Sequence, residues 1–278
     1  MIPILYALNV VCSAGQSALG KQYAKRCAES LPVNINKAVI GTILFLTLGL
    51  INGFSWHMPT MLFGIGYGVS LCISMHTGFK ALSIGPMALT SIIASFSLII
   101  PFLFGIILLN ESLTLLKIFG IILLLFSIFL INIKKENRFS AKWLFYALTT
   151  LLSNGICSVI QKMHQIQFPT LYRTEFMFWA LLCVSILLLI THNIKRDWKE
   201  QVKFSLLGIA SGIANCCANY IVLYLSATEN ASVLFPIIAV ANIITVWAIG
   251  ILFFKERLRF IQTIGLITGV ISVVFLKI

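Results

Sequence analysis

Residues 105–125 read GIILLNESLTLLKIFGIILLL, and residues 250–270 read GILFFKERLRFIQTIGLITGV. At an offset of 145 positions they share Gly105/Gly250, Ile106/Ile251, Glu111/Glu256, Leu113/Leu258, Gly120/Gly265 and Ile122/Ile267. Each block is an apolar run, a charged corner with one glutamate, and a second apolar run. LFGIGYG from Leu62 matches LLGIASG from Leu206 in the same way, with Gly64/Gly208 and Gly68/Gly212 in register. A third echo pairs Ser13, Gly15 and Lys21 with Ser153, Gly155 and Lys162. Three echoes in one order mean that each half must build the same substructure. Internal repeats of this length mark secondary transporters.

The chain is 59% hydrophobic and 10% charged, with mean hydropathy +1.01, which lies outside the range of soluble domains. Unsatisfied backbone groups in lipid cost several kcal/mol each, so the apolar runs must be helical. With about 20 apolar residues needed per crossing, ten spans are expected, near 3–20, 33–52, 58–79, 86–109, 113–133, 142–162, 170–191, 202–226, 231–254 and 258–276. The expected fold is therefore an all-α integral membrane protein of ten transmembrane helices. The repeats divide it into residues 1–133, a cytoplasmic linker at 134–141, and residues 142–278. Five spans per half is an odd number, so the second half enters the membrane from the opposite side. That predicts two inverted five-helix repeats.

All of the 20 lysines and arginines except Lys117, Lys162, Arg173 and Lys277 fall in loops after odd-numbered spans. The positive-inside rule places those loops in the cytoplasm and both termini outside. The net charge of +12 is thus an effect of topology, and no nucleic-acid partner is expected. The first apolar segment has no basic residues before it, so it reads as a retained helix and not as a cleaved signal. The seven cysteines lie nearly all within spans and show no metal-ligand spacing. Neither a metal nor a cofactor is expected.

Polar side chains within a span face the bundle interior or a wet cavity. Span one carries Asn9, Ser13 and Gln16; span six carries Asn154, Ser158 and Gln161. Span three offers Tyr67, Ser70, Ser74 and Thr77, span four Ser91 and Ser95, and span eight Ser211, Asn215 and Asn219. From these stripes the expected substrate-binding residues are Gln16, Tyr67, Ser91, Ser95, Asn154, Asn215 and Asn219, with Trp179 lining the same cavity. No acid stands at the centre of a span, so the candidates for ion coupling are Glu175, Glu229 and His76. His164 reads as an interfacial or packing residue, and Ser127 in span five as lying outside the cavity. Glu111 and Glu256 stand at symmetric corners beside helix starts, where a carboxylate suits the positive end of the helix dipole. Pro86, Pro101 and Pro236 remove backbone donors where they could bend spans four and nine.

FKALSIGPMALTSIIAS at 79–95, the corner NESLTL at 110–115 and Gly120 resemble the half-repeat of the drug/metabolite transporter superfamily, EamA-type. YLSATENASVLFP and KERLRF repeat the pattern in the second half. The resemblance implies ten helices in inverted halves around a central cavity that opens alternately to each side. Many ten-helix members have cytoplasmic termini, whereas the charge distribution of this chain argues for the reverse.

These features predict a secondary transporter that moves a small polar or amphipathic organic metabolite across the plasma membrane, expected to be bacterial, by alternating access. Its partners would be that small molecule and the lipid bilayer, with the protein a monomer or a homodimer. No GxxxxGK[ST] phosphate loop is present to support direct ATP drive. A lipid-carrier flippase would share the fold, and a groove open to lipid with basic residues at one rim would favour it. An integral membrane enzyme is a weaker alternative. The chain has no paired acids, no HExxH, and no Ser/His or Cys/His pair placed to activate a nucleophile.

Overall fold

A computed structural model describes residues 2–24, 31–84, 90, 93–132, 140–195, 205–241 and 260–277. Ten helices run through them: α1 Ile2–Ala24, α2 Leu31–Asn52, α3 Met58–Ile84, α4 Ile93–Leu108, α5 Leu115–Asn132, α6 Ala141–Gln167, α7 Arg173–Lys195, α8 Ser205–Thr228, α9 Ala231–Ala241 and α10 Phe260–Lys277. Five of them are long and apolar enough to cross a membrane: α2, α3, α6, α7 and α8. The other five present shorter apolar stretches within the described residues, such as Ile2–Gln16 of α1 and Thr263–Leu276 of α10. On α5, Leu115, Phe119, Ile122 and Phe126 form an exposed stripe, the pattern of a helix facing lipid.

Local chemistry sets the helix ends. The Ser140 hydroxyl accepts the Trp143 N–H at 3.3 Å and caps α6, and the Thr114 hydroxyl accepts the Lys117 N–H at 3.2 Å and caps α5. Within α4 a 3₁₀ turn at Phe96–Leu98 precedes Ile99–Leu108. Pro101 lies just beyond it and cannot donate to the carbonyl four residues back, so the tighter turn forms where the α-helical ladder would break. Pro86 lies outside the described residues.

The compact units are not the two sequence halves. One unit takes Met1–Cys72 and Ile160–Thr228; the other takes Ile73–Val159 and Glu229–Ile278. Each draws on both halves, and α3 and α6 each contribute to both.

In the first unit α1 packs on α8, and α2 packs on both α7 and α8. Its core includes Phe45, Phe176, Met177, Ala180, Leu223 and Leu225. Glycines allow the close approach expected of membrane helices. A Cβ on Gly68 would sit 2.6 Å from the Ala180 carbonyl oxygen, and one on Gly64 would sit 2.7 Å from the Trp179 Cβ, so α3 and α7 meet backbone to backbone. Gly208 and Gly212 give α8 the same access to Asn36, Lys37 and Ile40 of α2.

In the second unit α5 packs along α10 around Leu98, Phe102, Ile121, Leu124, Ile128, Val240 and Leu276. The repeat-related glycines both serve this seam. A Cβ on Gly120 would lie 2.9 Å from Leu276, and the Gly265 carbonyl accepts the Ser127 hydroxyl at 2.5 Å. Ser127 is therefore a helix–helix contact.

Glu111 holds the other joint of this unit. Its carboxylate accepts the N–H of Ala231 at 2.7 Å and of Ser232 at 2.9 Å, together with the Ser232 hydroxyl at 2.5 Å. It thus caps α9, remote in sequence, because Thr114 already caps α5. Its repeat partner Glu256 lies outside the described residues.

Candidate functional site

The first unit gathers the amides of α8. Asn215 and Asn219 are one turn apart and half-buried. The Asn219 Nδ2 donates to the Asn215 carbonyl at 2.9 Å and also to the Asn215 Oδ1. These bonds turn the Asn219 Oδ1 toward Tyr67 of α3, whose hydroxyl donates to it at 3.5 Å. From α6, the Gln161 Nε2 donates to the Asn219 carbonyl, also at 3.5 Å. The Gln161 contact is long, so its amide retains capacity for another partner. Asn9 of α1, buried, donates to the Ala218 carbonyl at 2.8 Å and fixes α1 beside the pair. One turn before Asn215, the Ser211 hydroxyl is buried with no hydrogen-bond partner among the described residues. It is a spare donor on the face that carries the asparagines.

The other expected site residues fall in separate places. Gln16 is half-buried on α1 in the same unit. Trp179 joins an aromatic cluster: its ring lies 5.4 Å from that of Trp56, which is exposed, and 5.0 Å from that of Phe178. The Trp179 Nε1 is buried with no hydrogen-bond partner among the described residues. In the second unit, the Ser74 hydroxyl donates to the Asn154 Oδ1 at 2.6 Å, and Thr77 meets Thr150 at 2.8 Å. Asn154 thus bridges α3 and α6. Ser95 is half-buried on α4, and Ser91 lies outside the described residues. Of the coupling candidates, Glu175 accepts the Ser55 backbone N–H at 3.3 Å and its hydroxyl at 3.4 Å. Glu229 is half-buried in the turn between α8 and α9, and His76 is exposed on α3.

A second polar cluster in the first unit was not anticipated. Thr60, fully buried, contacts His57 Nδ1 at 2.9 Å and His164 Nε2 at 3.1 Å. His164 Nδ1 meets the Gln165 Nε2 at 2.9 Å, and the Gln165 Oε1 accepts the Arg173 Nε–H at 2.8 Å. Aromatic rings enclose the chain: His57 stacks on Tyr172 at 4.2 Å and His164 on Phe176 at 4.6 Å. Thr170 and Tyr172 take φ values of 67° and 53°, so the bend before α7 is held in a left-handed conformation that non-glycine residues seldom adopt. A spacing signal existed in Gln161, His164 and Gln165, which share one helical face, but their partners come from distant segments.

An open groove of about 330 Å³ runs between α3 and α6, lined by Pro59, Leu62, Phe63, Gly66, Ile160 and Gln167. None of these residues is basic. Among the described residues no group of three or more His, Cys, Asp or Glu side chains is placed to hold a metal.

The EamA-like transporter family matches this chain twice, over residues 1–133 and again over 141–278. No curated protein matches. A solved structure described as "Crystal structure of protein" superposes with a TM-score of 0.78 over 99% of this chain and 95% of that one, at 15% identity, which shows a shared fold. The chain belongs to the EamA-like transporter family and is a multi-pass integral membrane transporter.

Proposed function

We propose that the protein is a secondary transporter for a small polar or amphipathic organic solute, carried across a bacterial plasma membrane by alternating access. The observation that supports this most is the Asn215–Asn219 pair. In an all-helical membrane chain two adjacent amides are costly unless paired, and beside them stand the weakly engaged Gln161 amide and the Ser211 hydroxyl, which has no hydrogen-bond partner among the described residues. Such a set of donors and acceptors is suited to exchanging its internal bonds for those of a solute. Inverted repeats supply two related gates to either side of such a site. Gln16 lies in the same unit and fits the same role. The bonds from Ser55 to Glu175 favour an architectural role for that acid over coupling. Among the described residues that line the groove between α3 and α6 none is basic, whereas a lipid-carrier flippase would hold an anionic headgroup at a basic rim.

The test is a thermal-shift screen of purified protein against amines, nucleosides, sugars and organic acids, followed by counterflow in proteoliposomes with the solute that stabilises it. Asn219→Leu or Asn215→Leu should leave a polar group of the solute unpaired, at about 1–3 kcal/mol, or roughly a 5- to 150-fold loss of affinity. Thr47→Leu is the control, since Thr47 is exposed on α2 and its hydroxyl bonds only its own helix. Wild-type affinity in both asparagine variants removes α8 from the site.

A further inference from the structure

Arg173 is the first residue of α7 and only 8% exposed. The position is unusual for a cation, because the start of a helix is the positive end of its dipole. Buried charges are ordinarily paired with an opposite charge. The contacts of Arg173 are instead a neutral amide and one aromatic ring. Its Nε donates to the Gln165 Oε1 at 2.8 Å, and its Cζ stands 4.5 Å from the centre of the Tyr224 ring. Gln165 is 1% exposed, and its nitrogen is committed to His164, so its oxygen is locked toward the guanidinium. The nearest acid in sequence, Glu175, is engaged by Ser55. Among the described residues no carboxylate pairs with Arg173.

The other buried cations among the described residues each reach a backbone carbonyl. Lys162 donates to the Ser226 carbonyl at 2.9 Å, in the last turn of α8 where the dipole favours positive charge, and Lys117 donates to the Ser112 carbonyl at 2.9 Å. In Arg173 the Nε is used, and the two Nη groups hold four N–H donors in the planar fork that matches a carboxylate or phosphate. The Tyr224 face and the Gln165 amide fix the plane of that fork.

We infer that Arg173 is an anion receptor, and that the transported solute carries a carboxylate or phosphate which pairs with its Nη groups. This rests on the reading of the Asn215–Asn219 pair as the solute site. The two places are linked by helix spacing. Gln161 reaches Asn219 and Gln165 reaches Arg173 from one face of α6, one turn or about 6 Å apart. A small solute with an anionic head and a hydrogen-bonding tail spans that interval.

The experiment is a thermal-shift titration of purified full-length protein, at constant ionic strength, with lactate, inorganic phosphate and the uncharged analogue lactamide. Lactate or phosphate should stabilise the wild type where lactamide does not. Arg173→Gln should abolish that difference. Arg173→Lys, which keeps the charge but loses the fork, should weaken anion binding at least tenfold. A response to lactate alone assigns a carboxylate and a response to phosphate alone assigns a phosphate; each supports the proposal. Equal responses to lactate and lactamide, no response of the wild type to either anion, or a shift that survives in folded Arg173→Gln overturns it. The wild-type comparison decides the matter even if Arg173→Gln fails to fold. Loss of counterflow in Asn219→Leu without any anion response refutes the receptor and leaves the transporter site standing. An anion response with unaltered counterflow in Asn219→Leu refutes that site instead.

Discussion

Replacing Glu111 by alanine should unfasten the start of α9. The carboxylate accepts two backbone N–H groups and one hydroxyl there, at 2.5–2.9 Å. Loss of a helix cap alone costs about 0.5–2 kcal/mol, and each buried N–H left unpaired costs about 1–3 kcal/mol. With water reaching a half-buried corner, the expected total is about 2–4 kcal/mol for Glu111→Ala. Glu111→Gln, which keeps one acceptor oxygen and loses the charge, should cost about half of that. At roughly 2–4 °C per kcal/mol for a chain of this size, the apparent Tm in detergent should fall by about 5–15 °C for alanine. Hydrogen exchange should rise selectively over Ala231–Ala241. The corner itself supplies a second variant. A Cβ at Gly105 would lie 2.6 Å from the Glu111 Oε2, and the Gly105 carbonyl accepts the Glu111 N–H at 3.1 Å. Gly105→Ala should therefore push the carboxylate off α9, and the Gly105→Ala/Glu111→Ala double variant should lose less than the sum of the two. An unchanged Tm and unchanged exchange in Glu111→Ala would refute the capping role.

Gly68→Ala drives a methyl against the Ala180 carbonyl of α7, which is backbone and cannot rotate away; a loss of about 1–3 kcal/mol is expected, read as lower Tm or lower yield of folded protein. Thr60→Val removes the hydroxyl shared by His57 and His164 and should cost about 1–3 kcal/mol, with greater hydrogen exchange at the start of α3 as the check. A cytoplasm-active reporter fused after Ile278 should be silent and one inserted near Lys135 should be active; the reverse result would overturn the orientation drawn from charge.

The helices were legible because the bilayer demands long apolar runs, and each expected span overlaps an observed helix. α6 extends past its expected end at residue 162 to Gln167, since His164 and Gln165 find buried partners that no hydropathy window can foresee. The α8 amide pair was also legible, because Asn215 and Asn219 stand at i, i+4 and their bond is local. The packing of Trp179 against Trp56 was not legible, because an apolar ring in a span gives no sign of which ring it will meet. The chain from His57 to Arg173 escaped for another reason. Thr60 and His164 are far apart in sequence, and polar residues near helix ends are ordinarily interfacial. Glu111 was expected to cap a helix, but its actual target, α9, lay beyond any local pattern.

The way the compact units divide the chain bears on biogenesis. Residues 1–133 contain neither unit whole: the first needs Ile160–Thr228, and the second needs Glu229–Ile278. A ribosome that has released the first five helices into the bilayer has therefore delivered an unfinished set of surfaces. The first unit can close only once α8 emerges, and the second only with α10. Severing the chain at 134–141 would yield two orphans, each holding what the other lacks, and co-insertion of both would be the route to a folded protein.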